Sequence, residues 1–478
     1  MAHTLKAYYY TDPATAVTVD FYGAVSDNDG IAVTSYQMGI PGVEQARNNS
    51  LYSDSPRPVY SKHSTVTDVL TVDVRGSTNT NLYTNLHLLA KLGEYARMSA
   101  ENPSLAAKPY LEMKPGGSSA GEVLYAIIYD VRVELPPDWA NTQDARLTIE
   151  DVTVTIEREL WQGKAIGVVG TTKNVNTGTD VANASSASSS TDIGGDTTAT
   201  YYLSVTQTSG TTTINRAIIG FRSKTLGGTN YASLGKKEAE SQTNGTDTTD
   251  AADATASGGN KVECTFATST LATRLSGTGI PYGTHRVFAR MKITGTAVAT
   301  VNLKYQDSSA TGVVYAANSS ISVSSTSWLV YDLGIARLND GVGSPVVGAT
   351  TTSVWALDAL LASGAGNLDI DYLFFMPTEG YLTASGFSIV FGTSETDTGW
   401  LYLENYHMRI ANAYQAFGGE TVKNRAITFT SSWNLPPGKF AMYWLLGTDS
   451  GDVFDVAITT TAQILMYANP RYIMPSLV

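Results

Sequence analysis

The side chains best placed to do chemistry are carboxylates spaced two residues apart. Glu238 and Glu240 stand in KKEAES, and Asp369 and Asp371 in GNLDIDYLFF. In a β-strand, residues i and i+2 project from one face, so each pair sets two carboxylates side by side. Such groups repel unless a proton or a cation is shared between them. Calcium suits the need, because it accepts about six to eight oxygen ligands in flexible geometry. A general acid and base pair for glycoside hydrolysis uses the same residue types. Solvated strand residues without a role are the third reading. Spacing leaves all three open.

Other catalytic signatures are missing. There is no phosphate loop, H-E-x-x-H or dinucleotide fingerprint. His3, His63, His87, His285 and His407 are scattered without ligand spacing, and His87 belongs to an amphipathic stretch where a surface role suffices. A Ser/His/Asp triad can be assembled from any spacing, so missing motifs lower the expectation of an enzyme without removing it. The chain reads as a binding and structural protein, not an enzyme.

Composition says what must hold such residues in place. Charged residues make up 15% of the 478, against roughly 25% in ordinary soluble domains. Thr, Ser, Gly, Ala and Asn fill the difference, together with 27 Tyr. That mixture suits half-buried pleated surfaces and turns, so the expected fold class is mainly β: several β-sandwiches with one packed helix in the N-terminal domain. The net charge of -12 and the lack of a basic stripe argue against nucleic acid as partner. Cys264 stands alone, which excludes an internal disulfide and a thiolate metal cluster. No apolar stretch reaches membrane-span length and none has signal-peptide character, so synthesis in a cytoplasm without membrane insertion is expected.

Five segments follow from the pattern. Residues 1–165 form one domain. Its strand EVLYAIIYDVRVEL alternates, with Tyr125, Ile127, Tyr129, Val131 and Val133 expected on one face. In ARLTIEDVTVTIEREL the parity changes at Glu150-Asp151, which predicts a bulge or a turn. Leu82, Leu86, Leu89 and Leu92 recur at helical spacing, with Thr80 or Asn81 as cap and Pro103 as a stop. Residues 166–200 are small and polar and read as a linker. Residues 201–235 regain strand character and could pair with the last segment, 381–478, which would make 236–380 an insertion.

Residues 236–380 resemble the family 6 and family 35 carbohydrate-binding modules, β-sandwiches of jelly-roll type. The matching pieces are Glu238-Ala239-Glu240, Ser257-Gly258-Gly259, the run Gly283 to Arg290 (GTHRVFAR), and Asp371-Tyr372. The resemblance implies a structural calcium held by Glu238, Glu240 and Asp371, joining the first and last strands. It also implies a sugar site in the loops at one end. Candidates there are Trp328 and Trp355 as aromatic platforms and Asn367 as the polar contact, with core placement of Trp328 as the competing reading.

Residues 1–165 resemble the N-terminal domain of siphophage distal tail and related minor tail proteins. The matching pieces are the helical stretch 81–101, the strand 124–133 and the terminal Glu157-Arg158-Glu159-Leu160-Trp161. Trp328 to Gly334 (WLVYDLG) is similar to jelly-roll units of such proteins. The resemblance implies a virion protein of the tail tip, made in the host cytoplasm. It would oligomerise as a hexameric or trimeric ring, join other tail proteins and face host-surface glycans. No belt-like hairpin is legible in the sequence. The competing functions are a carbohydrate-binding protein or polysaccharide-acting enzyme, and a tail-tube or capsid-decoration protein.

Overall fold

The computed structural model describes residues 4–473 apart from 13–14, 22–28, 49–56, 103–106, 115–122, 138, 140–146, 165, 168–172, 175–183, 189–192, 210–213, 224–234, 281–282, 307–313, 339–352, 378–379, 390–399, 408–409, 417–427, 432–434, 436, 439, 450–453 and 456–460. It is mainly β and multidomain, with antiparallel sheets and a single long helix among the described residues. Two compact units are present: Met1–Ala165 with Gly194–Thr198 and Asn469–Val478, and Ile166–Ile193 with Ala199–Ala468. No helix among the described residues is long and apolar enough to cross a membrane.

In the first unit, Thr4–Asp12 pairs with Thr15–Asp20 on one side and Tyr110–Lys114 on the other. Leu124–Glu134 then pairs with Tyr110–Lys114 through its first half and with Thr148–Arg158 through its second. Val66–Arg75 and Gly30–Gln37 complete the series. The register of Leu124–Glu134 shifts between Ile128 and Asp130, where it changes partner. Core-facing residues are therefore Leu124, Ala126 and Ile128 before the shift and Val131 after it. This corrects the expected face of Tyr125, Ile127, Tyr129, Val131 and Val133. Tyr125 is exposed and belongs to an aromatic row with Tyr8 and Tyr110, whose rings stack at 4.7 Å. Tyrosine is amphipathic and serves either face of a sheet, so it misleads a count of apolar alternation.

The other parity change is a bulge. Val72 faces Val152 and Val74 faces Ile149, so Glu150 and Asp151 together oppose Asp73, and Asp151 takes φ 59°. Ile149, Val152, Val154 and Ile156 are all buried as a result. The helix runs Asn79–Glu101, capped by Thr78, whose hydroxyl accepts from the Asn81 amide at 3.1 Å. That places the cap upstream of Thr80 and Asn81. Leu82, Leu89, Leu92 and Ala96 are buried, Leu86 is half-buried and His87 is exposed. Gly93 lets helix and sheet meet closely, since a Cβ there would lie 2.9 Å from the Val131 carbonyl.

Two further features of this unit were not expected. Asp68 and Arg158, both fully buried, form a two-pronged ion pair at 2.5 and 3.0 Å. Val43–Asn48 and Arg57–His63 form a hairpin that makes a two-stranded sheet of its own among the described residues. At its base Ile40 is 67% and Val43 55% exposed.

In the second unit, the segment 166–200 is not a bare linker. Ile166–Gly167 and Lys173–Asn174 pair with Thr461–Tyr472, and Ala184–Ser188 pairs with Phe440–Asp449. Ladder pairing satisfies backbone groups and needs no apolar side chain, so a polar run can still join a sheet. Ile214–Ser223 pairs with both Gly380–Ile389 and Phe440–Asp449, which makes the central sandwich an insertion.

One sheet of that sandwich is ordered Thr248–Ala252, Asn260–Cys264, Leu368–Pro377, Gly283–Ile293, Leu329–Leu338. The facing sheet is ordered Thr243–Asn244, Ala272–Ile280, Ser353–Ser363, Val298–Gln306, Val314–Ala317. Met291, Leu303, Trp355, Leu357 and Phe375 belong to the core between them. Leu368–Pro377 is buried along its whole length.

Candidate functional site

Gly235–Glu238 lies antiparallel to Leu368–Pro377, with Glu238 opposite Tyr372, so the first and last strands of the sandwich are neighbours. The strand ends at Glu238. Ala239–Ser241 is a single 3-10 turn, so Glu240 does not share a strand face with Glu238 as the spacing predicted. Asp371 falls where the register against Gly283–Ile293 shifts: Arg290 faces Tyr372 and Met291 faces Ile370. The bulge leaves Asp371 as the extra residue.

Ser257 ties these groups together. Its hydroxyl donates to Glu238 Oε1 at 2.9 Å and its amide donates to Asp371 Oδ1 at 2.8 Å. Next to it, a Cβ on Gly258 would lie 3.3 Å from Glu240 Oε1, so all three acidic residues border one corner. Cations already hold two of them. Lys236 Nζ lies 2.8 Å from Glu238 Oε1, and Arg290 is paired with Asp371 Oδ2. Burial pushes the Asp371 carboxyl up to about 7, with Arg290 pulling against it and Glu238 adding to it. Burial also raises Glu240, helped by Glu238 and Asp250.

Among the described residues, no three His, Cys, Asp or Glu side chains are arranged as a ready metal-binding group. The donors nevertheless suit a hard cation. All are oxygens, and Glu238 Oε2 and Glu240 Oε2 are buried with no hydrogen-bond partner.

The two indoles expected to form a sugar platform are both buried. Trp355 is fully buried between the sheets, with its ring 5.6 Å from Phe375. Trp328 is 7% exposed, donates from Nε1 to Thr255 Oγ1 at 2.9 Å, and has Lys292 Nζ 4.3 Å from its ring. A sugar platform needs an open aromatic face, and neither ring has one. Asn367 is half-buried, and its backbone is bonded to Thr294 at a chain reversal.

A row of ion pairs on the first sheet was missed. Lys261 holds Asp369 at 2.6 Å, Lys292 holds Asp253 at 2.6 Å, and Arg290 holds Asp371. The signal was present: Arg290 and Lys292 alternate with Ala289, Met291 and Ile293, matching the alternation of Asp369 and Asp371.

The fold thus defines a chain of two β-rich units, the second carrying an inserted β-sandwich. No family model matches the chain, and no curated protein matches it. Its structural neighbours include phage tail and baseplate proteins and a tandem of carbohydrate-binding modules. The Dit protein of phage SPP1, described as a paradigm of the hub adsorption apparatus in phages infecting Gram-positive bacteria, is 9% identical and aligns over 94% of this chain and 100% of its own, at TM-score 0.25. The activated phage p2 baseplate with Ca is 11% identical over 77% of this chain and 98% of its own, at 0.24. The N-terminal CBM22-1-CBM22-2 tandem of Xyn10C from Paenibacillus barcinonensis is 11% identical over 49% of this chain and 96% of its own, at 0.23. Overlaps this loose carry no functional argument, which rests on the residues themselves.

Proposed function

We propose that this chain is a non-catalytic structural protein of a bacteriophage tail tip. In this reading it assembles into a ring through its N-terminal unit, joins other tail proteins and displays the central sandwich toward host-surface glycans. The observation that carries the proposal is the hairpin Val43–Asn48 and Arg57–His63. A two-stranded hairpin is at best marginally stable alone in water, so an arm that joins no other sheet among the described residues, with Ile40 and Val43 exposed at its base, is suited to close on another subunit.

The expected result is a trimeric or hexameric species in light scattering and ring-shaped particles in electron microscopy. Replacing residues 43–63 by a short Gly-Ser turn should yield monomer with the fold retained. A wild-type chain that stays monomeric at high concentration overturns the assembly reading.

Structural calcium at Glu238, Glu240 and Asp371 is the second element. Bound there, the ion would neutralise the two orphaned carboxylate oxygens and clasp the first and last strands of the sandwich, with Lys236 displaced from Glu238. Metal ligands must be ionised, and Asp371 and Glu240 are both raised, so binding should strengthen as pH rises through about 7. The sign for the calcium-free protein is opposite. A carboxyl raised in the folded state favours folding most below its unfolded value, and that contribution is lost as pH climbs from about 4 to about 7. Calcium at a hundredfold excess over its dissociation constant should therefore add about 2.7 kcal/mol at pH 8 and far less at pH 5. A melting temperature indifferent to calcium and chelator at pH 8 removes the metal and leaves the assembly proposal standing.

A further inference from the structure

We propose that Lys261 and Asp369 form an intramolecular isopeptide bond, joining two adjacent strands of the central sandwich. Lys261 lies on Asn260–Cys264 and Asp369 on Leu368–Pro377, which run antiparallel with Glu263 directly opposite Asp369. The Lys261 Nζ is 2.6 Å from Asp369 Oδ2 and 3.1 Å from Glu263 Oε2. Asp369 is fully buried, Lys261 is 8% exposed, and Asp369 Oδ1 is buried without a hydrogen-bond partner. An amine and a carboxyl therefore meet in a site nearly closed to water, with the Glu263 carboxylate, 28% exposed, at its edge. Lys292 also approaches Asp369 Oδ2, at 3.7 Å, but Asp253 holds it at 2.6 Å.

The chemistry is a condensation that balances without an oxidant or cofactor. One proton of the Lys261 ammonium passes to Asp369 across their hydrogen bond, leaving a neutral amine and a neutral carboxylic acid. The amine attacks Cγ of the acid, and the N–Cγ bond forms. Glu263 takes the surplus proton from the nitrogen of the tetrahedral adduct and passes it to the departing hydroxyl, the Cγ–O bond breaks, and one water leaves. The ammonium and carboxylate have become an amide and water, and Glu263 is unchanged.

Two physical effects favour this outcome. Holding amine and carboxyl side by side on paired strands replaces a bimolecular encounter with an effective molarity on the order of 10⁵ M or more. The product also removes two buried charges, whose desolvation a buried ion pair seldom fully recovers. One effect opposes it. Burial works to lower the Lys261 amine, but Asp369 and Glu263 outweigh it and keep the group protonated, so proton transfer limits the rate. The bond should form once, slowly, after folding. It would tie residues 108 apart in a chain whose lone cysteine, Cys264, can make no disulfide within it.

The test is mass spectrometry of the full-length protein after prolonged incubation. The intact mass should fall below the sequence mass by one water, and a proteolytic digest should yield one branched peptide joining Lys261 to Asp369. Lys261→Arg and Asp369→Ala should show neither. Glu263→Gln, which keeps the strand and removes the proton acceptor, should slow the loss at least tenfold. Wild-type protein at its full sequence mass with no branched peptide overturns the proposal, as does a branch through Lys292. A water loss that persists in Lys261→Arg arises elsewhere and overturns it equally.

Discussion

Replacing Trp355 with alanine should destabilise the central sandwich by about 3–5 kcal/mol, the range for truncating a fully buried tryptophan. The indole lies on Ser353–Ser363, between Tyr305 on one neighbouring strand and Gly277 on the other. A Cβ on Gly277 would come within 2.6 Å of the ring, so the bare glycine is what makes room for it. The cavity left by the indole adds to the lost burial. Urea unfolding followed by circular dichroism measures the effect. A sugar platform would behave differently: its truncation would abolish glycan binding and leave stability nearly untouched. A midpoint unchanged by the substitution would mean that Trp355 is not in the core.

Asp68→Ala should cost a comparable amount in the first unit, about 3–5 kcal/mol, for an electrostatic reason. Asp68 accepts from Arg158 Nε and Nη2, from the Tyr36 hydroxyl at 2.9 Å and from the Gly39 amide at 2.8 Å. Removing the carboxylate leaves a guanidinium at 0% exposure facing neutral groups such as the Glu159 carbonyl, the Tyr36 hydroxyl and the Trp161 ring, 4.3 Å away. The double substitution Asp68→Ala, Arg158→Met should recover much of the loss, since a methionine stem fills the channel without a charge. If the single and double variants unfold at the same urea concentration, the uncompensated charge is not the cause.

Both effects arise from side chains whose role depends on their partners. Trp328 and Trp355 are both eligible for core and for surface by sequence, because an indole suits either. Glu238 and Glu240 satisfy the i, i+2 rule only while a strand is assumed, and the chain turns at Ala239. The hairpin Val43–His63 escapes sequence reading because VEQARN and RPVYSKH lack sustained apolar alternation, and Pro58 argues against a strand. The aromatic row of Tyr8, Tyr110 and Tyr125 imitates a core face because tyrosine is amphipathic.

Features governed by neighbours along the chain were readable from the residues alone. The mainly β character, the helix ending ahead of Pro103, the parity break at Glu150-Asp151 and the strand over 124–134 all follow from local periodicity and backbone constraints. The adjacency of the strands bearing Glu238 and Asp371 was legible only through the resemblance, not from periodicity. Which carboxylate meets which cation was decided only on folding. Asp369 meeting Lys261 and Asp68 meeting Arg158 are contacts across 108 and 90 residues. Charge and burial at such distances depend on register between strands, and a one-residue shift in register exchanges every side chain between core and solvent.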